Sequence, residues 1–560
     1  RTTTQSIIAA LQQRRFLLIL DNLEHLLARE LTEFLLELLE HCLQLHVLVT
    51  SREPLRVSQE QRYLTPPLHT VAAQQNAQSL AELPSVQLFI ARAAGVRQDF
   101  ALSPDAAAVV AEICRRLDGL PLAIELAAAW MRVLTPDALL ARLTERLPLL
   151  TGGGVDQPAR FQTMRTAIRW SYDLLTPDEA RTLRRLSVFW GGFTLEAAVH
   201  VALLPDESPE DEALTMLNLV AALCDKSLLA PTDVVGDVQR FTMLETVREF
   251  AYEQLTRTDE VARVEAVHAA YFRDWLELIE PDFLGPREEH WIALYTADLG
   301  NLHHALSWGI LHDADLAQRM GAALWAYWCF QNPREGLRWL DDALGASGIT
   351  MASVRSRALR TAGAIAVLIG SYDVAVALTN EALDLALQAN APWLEGEARW
   401  ILAICDIFAG RLEQAEQHLR RALEQLQPAR TPAEFTIAAY ARSALGVLAF
   451  LLGNRAWGIE LYDRAVSELR SAGGAGIPMI VFTDYAGWLI VLERYEQARQ
   501  LLHEALVLAR RTPTSWLIGG ILICLALADA VEGHAASAAY KLGAVEGIRV
   551  NRGVSIPIHF

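Results

Sequence analysis

From about residue 285, small residues seven apart recur at a nearly constant interval. They are Gly336/Ala343, Ala375/Ala382, Ala415/Ala422, Gly458/Ala465 and Ala498/Ala505, with Ala538/Val545 a decayed sixth, and the steps between them are 39, 40, 43, 40 and 40 residues. Turn residues precede several of them, as in Gly370-Ser371-Tyr372, Gly410-Arg411-Leu412 and Gly453-Asn454-Arg455. Residues seven apart share one face of a helix, and small ones let a facing helix approach closely. A unit of this length makes a helix pair that cannot bury its apolar face alone, so the units must stack. A long heptad coiled coil would need an unbroken helix, which glycine and proline every ~40 residues deny it. The spacing therefore predicts an α-solenoid over 285–550. Its concave face is the expected place for a protein, peptide or small inducer. Tyr327, Trp328, Phe330, Trp393 and Trp400 could line that face, although aromatic residues at helical spacing serve equally as core.

The other end of the chain reads differently. Phe16-Leu17-Leu18-Ile19-Leu20 is an unbroken apolar run that ends in Asp21-Asn22. Such a run suits a strand buried on both faces in a parallel sheet, and parallel sheets hold their chemistry at the carboxyl ends of the strands. A carboxylate there can hold Mg²⁺ beside nucleotide phosphates. Asp21 or Asn22 would equally well cap the following helix. That helix carries Leu27, Leu31, Phe34, Leu35, Leu38 and Leu39, and leads to a second run, Leu45 to Val49, followed by Thr50-Ser51-Arg52. The unit reads as βαβ, with Arg52 able either to reach a terminal phosphate or to pair with Glu53 or Glu24.

Leu20-Asp21-Asn22-Leu23-Glu24-His25-Leu26 followed by Val49-Thr50-Ser51-Arg52-Glu53-Pro54-Leu55 resembles the signal-transduction ATPases with numerous domains (the STAND class, which includes the NB-ARC proteins). The likeness is closest to their bacterial transcriptional-regulator branch. Gly119-Leu120-Pro121-Leu122-Ala123, Trp170-Ser171-Tyr172-Asp173-Leu174-Leu175 and Leu244-Glu245-Thr246-Val247-Arg248-Glu249 follow in the family's order. The resemblance implies a mainly α chain in four parts. Residues 1–68 would be the C-terminal part of a P-loop NTPase domain, with the Walker B and sensor strands, and 69–150 a helical domain. Residues 160–260 would form a winged helix, and 285–550 tetratricopeptide-like repeats. It also implies ATP or ADP with Mg²⁺ as cofactors, Asp21 as the Mg²⁺ residue, and Asp21, Glu24 and Arg52 as the catalytic set. Asp21, Asn22, Thr50, Arg52 and Pro121 become the nucleotide contacts, and Arg248, close in sequence to Leu244, is the candidate substitute phosphate contact.

Two departures stand out. Leu244 occupies the position where many relatives carry a phosphate-contacting His, and leucine cannot donate that hydrogen bond. Asn22 stands where many relatives have a second acidic residue. Composition adds a third. Lys226 and Lys541 are the only lysines, and neither follows a glycine as a P-loop lysine must. The chain is thus expected to start downstream of the P-loop and not to hydrolyse ATP as it stands.

The net charge of −18 argues against a large nucleic-acid footprint. The helix after Thr194 offers Glu196, Ala197, Ala198 and Val199, and Leu214 to Leu223 is uncharged. An intramolecular clamp is therefore expected in preference to a DNA reader, with no direct DNA contact. The six cysteines form no Cys-x-x-Cys pair and read as core residues of a cytoplasmic protein. No signal peptide opens the chain, and Leu517 to Val531 reads as a packed helix, so no membrane partner is expected. Two readings remain. One is a nucleotide-driven switch whose repeats sense an inducer or protein and which self-oligomerises when open. The other is a non-hydrolysing scaffold with a degenerate nucleotide domain.

Overall fold

The computed structural model describes residues 8, 11–12, 15–21, 23, 29–50, 57, 60–61, 63, 65–70, 80–97, 104–117, 119–146, 165, 168–203, 211–232, 234–511 and 515–552. The fold is mainly α, as expected, with a short parallel strand pair first, then a helical bundle, a winged helix and a solenoid.

Strands β1 (Phe16–Leu20) and β2 (Leu45–Val49) pair in parallel, Phe16 opposite Leu45 and Leu20 opposite Val49, with helix Arg29–His41 between them in sequence. The βαβ reading holds, but burial on both faces does not. Leu18 and Val47 pack with Leu38 and Cys42 beneath the strands, whereas Leu17, Ile19 and Leu48 are 55%, 60% and 54% exposed. A strand's side chains alternate between faces, and among the described residues the small core of Ile8, Leu38, Cys42 and Leu45 covers one face only.

The bundle comprises helices Pro84–Val96, Pro104–Arg116, Pro121–Ala129 and Pro136–Arg146. Each opens on proline, whose fixed φ and missing N–H suit the first helical turn. Phe89, Ile113, Ile124 and Met131 fill its core, and Trp170 closes it against Trp130 at a centroid distance of 5.7 Å.

The winged helix has helices Pro177–Leu186, Leu195–Ala202, Glu212–Asp225 and Glu245–Leu255. Its sheet has the order β3 (Phe193–Thr194), β5 (Arg240–Thr242), β4 (Ala230–Pro231), all antiparallel. Thr176 and Glu179 form a reciprocal capping box on the first helix. A long helix, Val261–Phe283, then leads into the solenoid.

Five complete helix pairs follow: Ala352–Leu368 with Tyr372–Gln388, Pro392–Phe408 with Leu412–Gln425, Pro432–Leu451 with Arg455–Ala472, Gly476–Val491 with Tyr495–Leu508, and Ser515–Val531 with Ala535–Arg552. We call the members of each pair A and B. Gly336 and Ala343 lie on helix Pro333–Gly345, ahead of the first pair, and the later small residues lie on the B helices, where Ala375, Ala382, Ala415, Ala422, Ala465, Ala498 and Ala505 are fully inaccessible. Gly458 shows why, since a Cβ there would meet the Phe450 ring at 2.9 Å. Gly370, Gly410 and Gly453 end A helices with φ of +79°, +73° and +80°. Helix Pro432–Leu451 is long and apolar enough to cross a membrane, yet it is mostly buried between its neighbours.

The inner wall made by the A helices is not open. The chain's own earlier helices fill it. Glu288, buried, accepts from the N–H groups of Ala475 and Gly476 at 2.7 and 3.1 Å, capping the fourth A helix. Thr436 donates to the Leu284 carbonyl, and Arg357 pairs with Glu280. Phe330 packs against Gly476, where a Cβ would meet its ring at 2.7 Å.

Candidate functional site

The strand ends come first. Backbone bonds from Thr50 N to Leu20 O (2.9 Å) and from Leu23 N to Thr50 O (3.0 Å) hold the two chain segments together just past β1 and β2. This brings Asp21 and Thr50 side by side, and the Thr50 hydroxyl donates to one Asp21 carboxylate oxygen. Asp21 is exposed, and no described residue engages its other carboxylate oxygen. A solvent-facing carboxylate oxygen beside a hydroxyl suits Mg²⁺, directly or through water. Asn22, Glu24 and Arg52 lie outside the described residues.

Pro121 sits at the start of its bundle helix, exposed. The turn before it is pinned: Leu68 N donates to Gly119 O at 2.9 Å, and Gly119 has φ +66° with the Leu68 carbonyl where a Cβ would stand. Only glycine fits there. Pro121 belongs to the bundle, whose core is separate from the one beneath the strands.

Arg248 is committed elsewhere. Its guanidinium bonds Glu245 at 2.5 and 3.1 Å, reaches the Ser187 carbonyl at 3.4 Å, and lies 3.8 Å from the Trp190 ring centroid. All three nitrogens are engaged inside the winged helix. The proximity in sequence to Leu244 offered it as a phosphate contact; the structure gives it a packing role, and reaching a phosphate would break that set. Leu244 itself is exposed at the start of helix Glu245–Leu255.

Helix Glu212–Asp225 is the third of the winged helix and presents Leu214 and Leu217 to solvent, with no basic residue along its length. Asp225 at its end pairs with Arg132 of the bundle. The winged helix is also fixed to the solenoid. Arg240 binds Asp298 through two bonds of 2.7 Å, both side chains buried, and Asn301 ties Asp298 to the Gly192 carbonyl and the Trp190 N–H.

Of the five aromatic residues expected on a concave face, Tyr327, Trp328, Phe330 and Trp400 are buried and Trp393 partly so. Trp328 is pure core, stacked near His303 and against Gly336. Phe330 and Trp400, with Trp325 and Tyr440, instead line a cavity. Trp325 and Tyr440 were missed by the sequence reading. So was Asp484, for which a signal existed: it is the only charged residue in Gly476–Val491. Burial pushes its carboxyl up to about 7. Among the described residues the one grouping with metal-ligand potential is Asp529, Glu532 and His534. Arg499 and Lys541 already neutralise it.

Residues 175–256 match the family model of a winged helix-turn-helix domain. A candidate HTH-type transcriptional regulator of Mycobacterium tuberculosis is 33% identical over 406 residues, which is 70% of this chain and 43% of that protein. An uncharacterized protein of Mycobacterium tuberculosis is 36% identical over 266 residues, 48% of this chain and 63% of that protein. The chain thus spans less than half the length of the regulator it matches. A STAND protein with a tetratricopeptide repeat sensor from Pyrococcus horikoshii aligns over 97% of this chain and 82% of its own, with 13% identity and a TM-score of 0.46.

Proposed function

We propose that this chain is the signal-sensing core of a nucleotide-dependent switch in a STAND-type regulator. The observation that carries this is the pairing of Asp21 with the Thr50 hydroxyl at the carboxyl ends of adjacent parallel strands. Asp21 would hold Mg²⁺ beside ATP or ADP, with Asn22, Glu24, Thr50 and Arg52 around the phosphates and Pro121 against the base. Similarity over 70% of the chain to an HTH-type regulator supports a regulator-type role. In this reading the winged helix works as a clamp rather than a DNA reader, because its third helix is apolar and acidic where DNA would require basic side chains. The repeats sense a protein or small-molecule inducer and favour self-association in the open state. Such control requires the inducer to bind the two states with different affinity.

The test is a titration of ATP and ADP against the full-length gene product, with and without Mg²⁺, for wild type and Asp21→Ala. Mg²⁺-dependent ATP binding weakened at least tenfold by the substitution is expected. Absence of nucleotide binding would leave the repeat scaffold as the function and Asp21 as a helix cap.

A further inference from the structure

One turn of the chain ties the segment before the repeats to the fourth of them. Residues Leu284 to Gly285, Pro286 and Arg287 join helix Val261–Phe283 to helix Glu288–Ala297, and they meet the joint between the third B helix and the fourth A helix. The joint is shaped to receive them. A Cβ at Gly474 would stand against the Leu284 carbonyl, and one at Gly473 would meet Pro286 at 2.9 Å. Glu288 caps the fourth A helix through the Ala475 and Gly476 amides. Arg511 bridges the two sides, donating to the Pro286 and Gly473 carbonyls at 3.0 and 3.5 Å. Arg357 on the first A helix pairs with Glu280, and Thr436 on the third donates to the Leu284 carbonyl. The contacts thus run from the first repeat to the fourth.

This seam is polar. Phe283 instead stacks on Tyr295 at 5.0 Å, and Tyr295 meets Tyr327 at 5.8 Å, so the ring beside the turn packs within its own segment. A buried carboxylate is costly to desolvate, and its partners about offset that cost, so such a contact fixes geometry more than it adds stability. At Glu288 burial raises the carboxyl's pKa, against the pull of the Ala475 and Gly476 amides and the Arg511 charge. The apolar part of the seam is imperfectly filled. A small void remains among Trp325, Cys329, Phe330, Trp400, Tyr440 and Ile480, and atoms lining a void lack dispersion partners. A contact that is polar and under-packed can separate as a unit. Helix Glu288–Ala297 is followed by Asp298, which holds the winged helix through Arg240, so ten residues connect the fourth repeat to the winged helix.

We propose that the turn from Leu284 to Glu288 is a clasp. Closed, it keeps the chain's own 261–331 segment on the inner wall of the repeats, and a protein or peptide partner gains that wall only when the clasp opens. The inference rests on the reading of the repeats as the sensing part and supplies the step that gates them. A partner on the open wall competes with the closed clasp, and its apparent affinity falls with the fraction of molecules that are open.

The native Cys329 reports the opening. It is buried on Trp325–Gln331 where that segment meets the A helices, and burial pushes its thiol up to about 12, so the closed chain should alkylate slowly there. The measurement is N-ethylmaleimide labelling of the full chain, read cysteine by cysteine by mass spectrometry. Cys114 of the bundle and Cys405 of the repeats, both buried, control for general loosening. Glu288→Ala should speed Cys329 at least tenfold and leave both controls unchanged. Pro286→Cys with Gly473→Cys should lock the clasp, because a Cβ at Gly473 lies 3.5 Å from that of Pro286, within reach of a disulfide. With the oxidised lock added to Glu288→Ala, Cys329 should return to the wild-type rate, and reduction should release it. Where Glu288→Ala does not fold, the lock in the otherwise wild-type chain carries the test, and its oxidised form should label Cys329 at least tenfold more slowly than its reduced form. An unchanged Cys329 rate in Glu288→Ala, an equal acceleration of Cys405, or a lock without effect overturns the proposal. Labelling is read without nucleotide, so the clasp is judged apart from the ATP titration that judges the switch.

Discussion

The strand pair and the solenoid interior treat their apolar residues in opposite ways. At the strands, Leu17, Ile19 and Leu48 stand more than half exposed although they belong to the most continuous apolar runs near the start of the chain. In the solenoid, charged residues as well as apolar ones are inside: Arg360, Glu397 and Glu288 are all buried. Burial is therefore a property of what packs against an element and not of the element's own sequence. Among the described residues, β1 and β2 are covered on one side, by helix Arg29–His41 with Ile8 and Leu11. The A helices pack against their B helices, and the first and third also meet Trp325–Gln331 and Val261–Phe283 respectively.

The largest effect expected from that contrast is at Trp328, which is fully buried against Gly336 in the filled interior. Trp328→Ala should cost about 3–5 kcal/mol, as large-to-small changes at packed aromatic sites do. Urea unfolding followed by near-UV circular dichroism reads it as a lower midpoint. A shift worth under about 1 kcal/mol would mean that the inner wall is open in solution and that the earlier helices do not pack there.

The same contrast explains what the sequence disclosed. The repeat period was legible because close helix approach demands small residues at fixed positions, and Ala375, Ala415 and Ala498 satisfy that demand without help from distant chain. The βαβ unit was legible for the same local reason. The filling of the concave wall was not, because it depends on single contacts between residues far apart, such as Glu288 with Gly476 and Thr436 with Leu284. Arg248 shows the limit from the other side. Its closeness in sequence to Leu244 pointed it toward phosphate, while Trp190 and Glu245, which hold it, could be recognised only in three dimensions. At the strand ends, Asp21 and Thr50 were each named from sequence, and their direct hydrogen bond was not foreseen.

A smaller effect tests the seam between winged helix and solenoid. His268 is fully buried among Phe189, Phe272 and His304, and burial first, then the neighbouring His304, lowers its pKa to about 3. The unfolded chain takes up a proton at this position below about pH 6.5, and the folded chain does not. Its contribution to stability is thus complete above pH 6.5 and is lost as the pH falls toward 3. Between pH 7 and pH 5 the loss from this one group is about 2 kcal/mol. Melting curves of wild type and His268→Leu across that interval should show a shallower acid decline in the variant by that amount. Parallel declines would place His268 in contact with solvent.

The smallest effect belongs to the open face of the strands. Ile19 is 60% exposed, so Ile19→Ser removes little buried surface and should change stability by no more than about 0.5 kcal/mol. On the covered side, Leu38 is fully buried in the same small core, and Leu38→Ala should cost about 2–5 kcal/mol. Both sit in one βαβ unit, so the pair compares the two faces with the rest of the protein held constant. Urea unfolding of the two variants in parallel reads the difference. An Ile19→Ser cost approaching that of Leu38→Ala would mean that the face is covered in solution, and that β1 is buried on both sides as its sequence implies. A near-zero cost keeps the asymmetry and leaves Leu17, Ile19 and Leu48 as exposed apolar surface beside Asp21.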